Sequence, residues 1–387
     1  MALSFELTQE QDILRRTMRD FAEQEILPQS LTLDKNEEFS YDLTKKMAAM
    51  GLLGMTVDPK YGGLGTDVLS YIIAVEELAR VDGCQAATIA AANSLGIGPI
   101  YNFGNELQKQ KYLPRLCKGD ALFAFGLTEP NAGSDASQSK TYAKKQAQEW
   151  VLNGSKIFIT NASTEISAGI TVQCVTGEKP DGKKELSCII VEKGTPGFSA
   201  RTMHHKMTWR SSNTAEVYFD DCHVPESNLL GQPGEGFKQM MKTLDAGRLS
   251  IAAMGLGGAQ GAYELALRYA KERKTFGKPL SDHQSIAFRL ADCALEIETA
   301  RLLLYKACWL KDQEQPFSKE AAMAKLYCSE VMHRVVDRAV QIHGGYGLME
   351  EYRVAKFYRD QRLLEIGEGT SEVQRIVISR HLGCQPM

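Results

Sequence analysis

The residues best placed to do chemistry lie close to the C-terminus, in Leu363-Leu364-Glu365-Ile366-Gly367-Glu368-Gly369-Thr370-Ser371-Glu372. Glu368 stands between two glycines, where the backbone can approach a ligand closely and take conformations that a Cβ would forbid. Thr370 reads as the N-cap of a last helix, because Ser371-Glu372-Val373-Gln374-Arg375-Ile376 puts acidic and amide groups in its first turn. A lone carboxylate therefore faces a helix start. Taken alone, the segment reads more readily as a polar turn before an amphipathic helix, so the rest of the chain must decide. Two other candidates are weaker. His204-His205 has acid–base and metal-ligand types, but adjacent side chains on a strand point to opposite faces, which predicts a structural pair. Gly255-Leu256-Gly257-Gly258-Ala259-Gln260-Gly261 carries the glycines of a dinucleotide fingerprint, with the last spacing one residue too long and no strand before it. A small-residue stripe where helices cross closely is expected there, and no nicotinamide-binding fold.

Four more segments occur in order: Leu127-Thr128-Glu129-Pro130-Asn131-Ala132-Gly133-Ser134-Asp135, Phe158-Ile159-Thr160-Asn161, Arg273-Lys274-Thr275-Phe276-Gly277-Lys278-Pro279 and Gln341-Ile342-His343-Gly344-Gly345-Tyr346-Gly347. With Glu368-Gly369-Thr370 they resemble, over essentially the whole chain, the acyl-CoA dehydrogenase family, flavoenzymes that oxidise a CoA thioester between Cα and Cβ. That reaction takes a proton from Cα and a hydride from Cβ. No amino-acid side chain accepts hydride, so a redox cofactor is obligatory, and the resemblance implies FAD. It also implies that Glu368 is the catalytic base. A carboxylate with an ordinary pKa of ~4.3 is a feeble base toward a C–H bond. Exclusion of water raises that pKa, and hydrogen bonds to the thioester carbonyl, implied to come from the Glu368 N–H and a ribityl hydroxyl, acidify the Cα proton. Some relatives carry the base at the position matching Gly247, where glycine cannot serve. Relatives often have Tyr where this chain has Gly367, which leaves more room beside the base.

By the same resemblance, Phe125, Leu127, Thr128 and Ser134, with Phe158, Ile159 and Thr160, surround the flavin. Thr128 and Thr160 are the hydroxyls near its polar edge and N5, and Phe158 is an aromatic wall where relatives commonly have Trp. Arg273, Phe276 and Gln284, with Gln341, Ile342, His343, Gly344 and Gly345, match residues that reach the FAD of a neighbouring subunit, while Thr370 and Glu372 meet its pyrophosphate and ribose. The flavin site is then completed only by association, and a homotetramer is implied. Ser134, Asp245, Arg248 and Gly369 match substrate contacts, Arg248 being the cation for CoA; a surface i, i+3 ion pair between Asp245 and Arg248 is the alternative. A dicarboxylyl substrate would need a buried cation at the pocket floor. The charge-free run from Cys84 to Ile100 offers none, so a neutral acyl group is expected. Asn93-Ser94-Leu95-Gly96 and Phe103-Gly104 resemble the short-chain and butyryl-CoA members, pointing to a short or modestly branched chain. Electrons are implied to pass to an electron-transferring flavoprotein. The alternatives are an enoyl-CoA reductase running backward, an acyl-CoA oxidase, or a non-catalytic flavin-carrying protein of this fold.

Three regions must position these residues: a helical domain over 1–120, a β domain over 121–232 and a helical bundle over 233–387. The predicted class is α+β multidomain, with a middle antiparallel β-barrel or sandwich and a C-terminal four-helix bundle like that of the acyl-CoA dehydrogenases. Thr8-Gln9-Glu10-Gln11 reads as a capping box, and Ile13, Leu14, Met18, Phe21 and Ile26 recur at helical spacing up to Pro28. Helical patterns run from Leu43 to Met50, Val68 to Ala79 and Glu106 to Leu116, with loop at Asp58–Gly65. The Ala-rich stretch from Cys84 is predicted to be a helix buried among others. Short β-branched and aromatic runs follow at Ala121–Leu127, Trp150–Leu152, Lys156–Thr160, Ile170–Val175, Leu186–Val191 and Thr214–Phe219, with turns at Asn153-Gly154 and Asp181-Gly182. Long helical runs then cover roughly Gly236–Arg273, Asp282–Lys311 and Lys319–His343.

Among 387 residues, 45 Lys and Arg nearly balance 48 Asp and Glu, for a formal charge of −3. No basic field is left for nucleic acid or an anionic membrane, so local cations must meet any ligand phosphates. Nine scattered cysteines without a Cys-x-x-Cys pair argue against a disulfide framework or thiolate metal site and for a reducing compartment. Met1-Ala2-Leu3-Ser4-Phe5-Glu6 has neither a secretory nor a transit pattern, and no stretch is apolar for long enough to span a bilayer. A cytoplasmic protein is expected, and a mitochondrial matrix enzyme stripped of its presequence would look the same.

Overall fold

Thr8 starts the first helix as the capping box predicts. Its hydroxyl accepts from the Gln11 N–H at 3.2 Å, and the Gln11 side-chain oxygen accepts from the Thr8 N–H at 3.1 Å. The structure is a computed structural model that describes residues 6–385; Met1–Phe5, read above for targeting character, and the last two residues lie outside it. Helix α1 (Gln9–Phe21) runs on through a π turn over Ala22–Ile26. Then come α2 (Ser30–Asn36), α3 (Tyr41–Ala49) and α4 (Val68–Ala79). The charge-free stretch forms α5 (Gly83–Ala91), which passes through a second π turn, Ala92–Ile97, into α6 (Gly98–Phe103), and α7 (Glu106–Lys118) closes the region. As expected from its small apolar side chains, α5 is buried from Cys84 to Ala91.

The middle region holds β1 (Leu122–Gly126), β2 (Tyr142–Gln146), β3 (Glu149–Thr160), β4 (Ser167–Glu178), β5 (Lys184–Glu192), β6 (Phe198–Thr202), β7 (Thr214–Pro225) and β8 (Leu229–Leu230). They form one sheet in the order β6-β7-β3-β2-β4-β5-β8, with β1 against β4. Its long hairpins are antiparallel, but β1 joins β4 in parallel, Leu122 opposite Ser167 and Gly126 opposite Val172, so the sheet is mixed. Asn153-Gly154, read as a turn, lies inside β3. Gly154 has φ +142° at a register shift, and a Cβ there would stand 2.6 Å from Thr141 Oγ1, so the pair makes a bulge where a hairpin was expected. Strand β2 was not predicted because four of its five residues are exposed and only Ala143 is buried.

The chain returns to helix in α8 (Gly236–Glu272), turns through the hairpin β9 (Lys274–Thr275) and β10 (Lys278–Pro279), and continues as α9 (Gln284–Asp312), α10 (Ser318–His343), α11 (Arg353–Leu364) and α12 (Ser371–His381). The glycines of α8 do what the helical reading of them requires. A Cβ on Gly257 would stand 2.1 Å from the Glu76 carbonyl oxygen on α4, and one on Gly255 would stand 2.9 Å from the Cys328 carbonyl oxygen on α10. Three helices thereby touch backbone to backbone.

One hydrophobic core draws on both helical regions, from Met18 and Ile72 to Leu256, Val335 and Leu364. Polar groups cross the same seam: the Asp312 carboxylate accepts from the Val68 and Leu69 N–H groups at 2.7 and 3.2 Å, and Arg301 of α9 pairs with Glu76 of α4 at 3.2 Å. Among the described residues, no helix is long and apolar enough to cross a membrane.

Candidate active site

Between α11 and α12 the chain makes a turn that only unusual backbone angles allow. Glu368 has φ +53° and Gly369 φ +94°, consecutive left-handed residues, of which glycine alone adopts this region freely. Thr370 then caps α12 as predicted, its hydroxyl accepting from the Val373 N–H at 3.3 Å. The turn's carbonyls are held from behind. Lys325 Nζ donates to the Gly369 oxygen at 2.7 Å, and Gln374 Nε2 donates to the same oxygen at 2.8 Å and to the Glu368 oxygen at 3.4 Å.

This turn sends the Glu368 side chain inward onto α8. The residue as a whole is half-buried, but Oε2 is shut off from solvent and has no hydrogen-bond partner. It lies so close to Gly247 that a Cβ there would stand 2.0 Å from Oε2. Burial lifts the carboxyl pKa to about 7, against the pull of Lys325 and then Arg248. Arg248 is buried, not at the surface, and it pairs with Asp245, which also accepts from Ser318 Oγ at 3.0 Å; the Arg248 Nε has no partner.

A cavity of about 1020 Å³ runs beside this site. It reaches Tyr71 and Ala246, the latter next to Gly247, while Glu368 is not part of its wall. The wall has two characters. Everything contributed between Thr56 and Phe103, including Ser94, Ile97, Gly98 and Tyr101, is uncharged. The lining contributed by the C-terminal helices includes Lys242, Asp245, Lys311, Glu314, Lys319 and Glu320. Asn93 in the neutral wall is fully engaged: its oxygen accepts from the Gly54 and Met55 N–H groups and its amide donates to the Leu52 and Ile89 carbonyls, all within 3.0 Å. The cations were invisible to a reading of Cys84–Ile100 alone, because they come from α8, α9 and α10.

Of the residues expected around a flavin, those of the middle region come together. The Ile157 N–H donates to the Thr128 carbonyl at 2.9 Å, setting Thr128 beside Phe158, Ile159 and Thr160. Phe158 has φ +60° at a register shift of β3 and is 63% exposed, whereas Phe125, Leu127 and Ile159 are buried and Ser134 is exposed. An uncovered aromatic flanked by two hydroxyl residues suits the face and edge of a planar heteroaromatic ring. The second group gathers at the far end of the long helices, where the His343 ring stacks on Tyr269 with centroids 4.4 Å apart. There Phe276 and Gly277, φ +50° and +82°, form the two-residue tip between β9 and β10, and Phe276 is 97% exposed. Arg273, Gln284, Gln341, Gly344 and Gly345 are also exposed, while Ile342 and His343 are buried. Among the described residues, no hydrogen bond or ion pair joins this group to Thr128 or Phe158. The Thr370 hydroxyl is used as a cap and Glu372 is exposed.

His204 and His205 lie just past the end of β6, and both rings approach the Glu37 carboxylate, at 3.6 and 3.9 Å. They remain a structural pair, though on the same side: the alternation rule failed because the strand has ended and His205 has φ +60°. Sequence reasoning did not find Lys325 or Gln374. The trace of Lys325 was present, as a lysine on the phase of Ala321, Ala324 and Cys328, all buried in α10.

The chain is built helical–sheet–helical, with a shielded carboxylate beside a large cavity, and its class follows from its relatives. Models of the N-terminal, middle and C-terminal acyl-CoA dehydrogenase domains match residues 8–120, 124–222 and 234–383, and the chain belongs to the acyl-CoA dehydrogenase family. It is 50% identical to the probable acyl-CoA dehydrogenase YngJ of Bacillus subtilis, over 98% of this chain and 100% of that one. Butyryl-CoA dehydrogenase from Megasphaera elsdenii superposes with a TM-score of 0.95 at 44% identity, covering 99% of this chain and 100% of that one. A structure described as the electron transferring flavoprotein of Acidaminococcus fermentans also gives 0.95, at 45% identity, covering 98% and 99%. Members of the family are FAD-dependent oxidoreductases, and a neighbour at 30% identity, a glutaryl-CoA dehydrogenase from Mycobacterium smegmatis, is in complex with FADH2.

Proposed function

We propose that this enzyme is a short-chain acyl-CoA dehydrogenase that converts a neutral acyl-CoA of about butyryl size to the trans-2-enoyl-CoA, with Glu368 as the base. The observation that carries the reading is the Glu368 carboxylate, its Oε2 dry and unpartnered against Gly247, with its pKa lifted into the range where it can both hold and release a proton near neutrality. FAD, when bound, supplies the hydride acceptor. Thr128, Phe158 and Thr160 would hold its ring, with Phe125, Leu127, Ser134 and Ile159 shaping the strands and loop behind it. Glu368 takes the Cα proton, and its backbone N–H is aimed by the same turn. Along the cavity, the uncharged side suits a short acyl chain and the charged side suits the polar CoA portion, with Ser134, Asp245, Arg248 and Gly369 as contacts. Similarity to the Megasphaera butyryl-CoA dehydrogenase supports the chain length, and the Acidaminococcus structure supports an electron-transferring flavoprotein as acceptor. Exposure of Arg273, Phe276, Gln284, Gln341, Gly344 and Gly345 supports a homotetramer in which these residues, with Thr370 and Glu372, reach a neighbour's FAD.

Anaerobic mixing of the holoenzyme with a series of acyl-CoA esters tests the reading. The flavin absorbance should bleach fastest with butyryl-CoA and stay bleached on admission of air, as expected of a dehydrogenase and not an oxidase. Glu368→Gln should slow bleaching by roughly 10²–10⁴ while leaving flavin bound. Bleaching at the unaltered rate would remove Glu368 from the mechanism.

A further inference from the structure

Lys325 is fully buried, at 0% exposure, on a face of α10 otherwise made of Ala321, Ala322, Ala324 and Cys328. A buried ammonium is expensive unless something compensates it. Here its one hydrogen bond goes to the Gly369 carbonyl, and among the described residues it forms no ion pair. Gln374 also donates to that carbonyl, so the oxygen would not be orphaned without the lysine. What an amide cannot supply is charge, next to a turn held in a conformation that costs Glu368 strain. We propose that Lys325 is a positioning residue for Glu368: through the Gly369 carbonyl it locks the left-handed turn that lays the carboxylate on Gly247, and its charge favours the ionised, proton-accepting form.

The groups facing Glu368 are Arg248 on α8, Lys325 on α10 and the Tyr71 phenol on α4, while Glu365 and Glu372 act on Lys325 from the two ends of the turn. Arg248 is committed to Asp245, which leaves Lys325 as the cation without an acidic partner. The titration behaviour runs the same way. Burial pushes Glu368 up and Lys325 is the largest influence pulling it back, while burial lowers Lys325 to about 8 against the pull of Glu368.

This inference rests on Glu368 being the base, so Glu368→Gln is measured beside two lysine variants. Lys325→Met removes donor and charge in a similar volume, and Lys325→Gln keeps a donor without the charge. Each is prepared as the FAD-loaded enzyme, and the pH dependence of kcat/KM is followed with butyryl-CoA and an artificial electron acceptor. For Lys325→Met we expect kcat to fall by roughly 10–100-fold with KM within about threefold, and the acidic limb to move up by about one pH unit. Lys325→Gln should lose less kcat and show the same upward move. A limb at the unaltered pH in both variants overturns the proposal, as does loss of flavin from both, which would assign Lys325 to folding alone. Turnover surviving in Glu368→Gln would instead sink the assignment of the base, whatever the lysine variants do.

Discussion

Glu368 Oε2 has given up water without gaining a donor, and this is the cause of its raised pKa. Two consequences have opposite signs. A base must be ionised, so kcat/KM should climb as pH rises through about 7, and a profile whose acidic limb lies near the ordinary carboxylate value would contradict the burial seen here. Stability goes the other way. The folded chain binds this proton more tightly than the unfolded one, so the stabilising contribution is present below the unfolded pKa of ~4.3 and is lost as pH rises through about 7. Glu368→Gln should therefore melt higher than the parent at pH 8, by roughly 2 °C or more, with the gap shrinking toward pH 5 in paired thermal melts. At this scale the sequence showed the acid, its two glycines and the cap. It did not show the lysine that tunes the acid, because Lys325 arrives from a helix distant in the chain.

Helices carry most of what could be read in advance. The last three long runs fall within a few residues of α8, α9 and α10, because their apolar repeat is sustained and few breakers interrupt it. The two π turns left no such mark: Ala22–Ile26 and Ala92–Ile97 keep helical residue types, and only tertiary packing decides where an extra residue enters the coil. Within the sheet, Asn153-Gly154 misled for a related reason, since the residues that favour a tight turn also favour a bulge. The stripe on α8 gives an element-level test. Gly257→Val would drive a side chain into the Glu76 carbonyl, which as backbone cannot swing aside. A loss of about 1–3 kcal/mol is expected in denaturant melts, and an unchanged midpoint would show that α4 and α8 can part at little cost.

At the scale of the whole molecule, the buried cores do not follow the three regions of chain: one is shared by both helical regions, where α8 packs on α4 and α5, and a second joins Ile100 to Ile190 of the sheet and Leu244 of α8. Order along the chain was legible from the switch in periodicity, but this sharing was not, because no local pattern says which apolar face meets which. The hairpin tip at Phe276 tests the assembly. With its ring 97% exposed it adds nothing to its own subunit's core, so Phe276→Ser should leave the melting temperature of the flavin-free protein unchanged. If the ring seats against a neighbour's FAD, the variant should shed flavin on dilution and gel filtration where the parent keeps it, and equal retention would refute the shared site. The core drawn from both ends of the chain also bears on how the protein is made. Ile72 and Leu78 of α4 are synthesised long before Leu249 and Leu256 of α8, which share their core. At about 5–20 residues per second that delay is on the order of 10 s. A nascent chain with its greasy helices bare for so long is a natural client for chaperones at the ribosome, and a strain short of them should yield this enzyme mostly as aggregate.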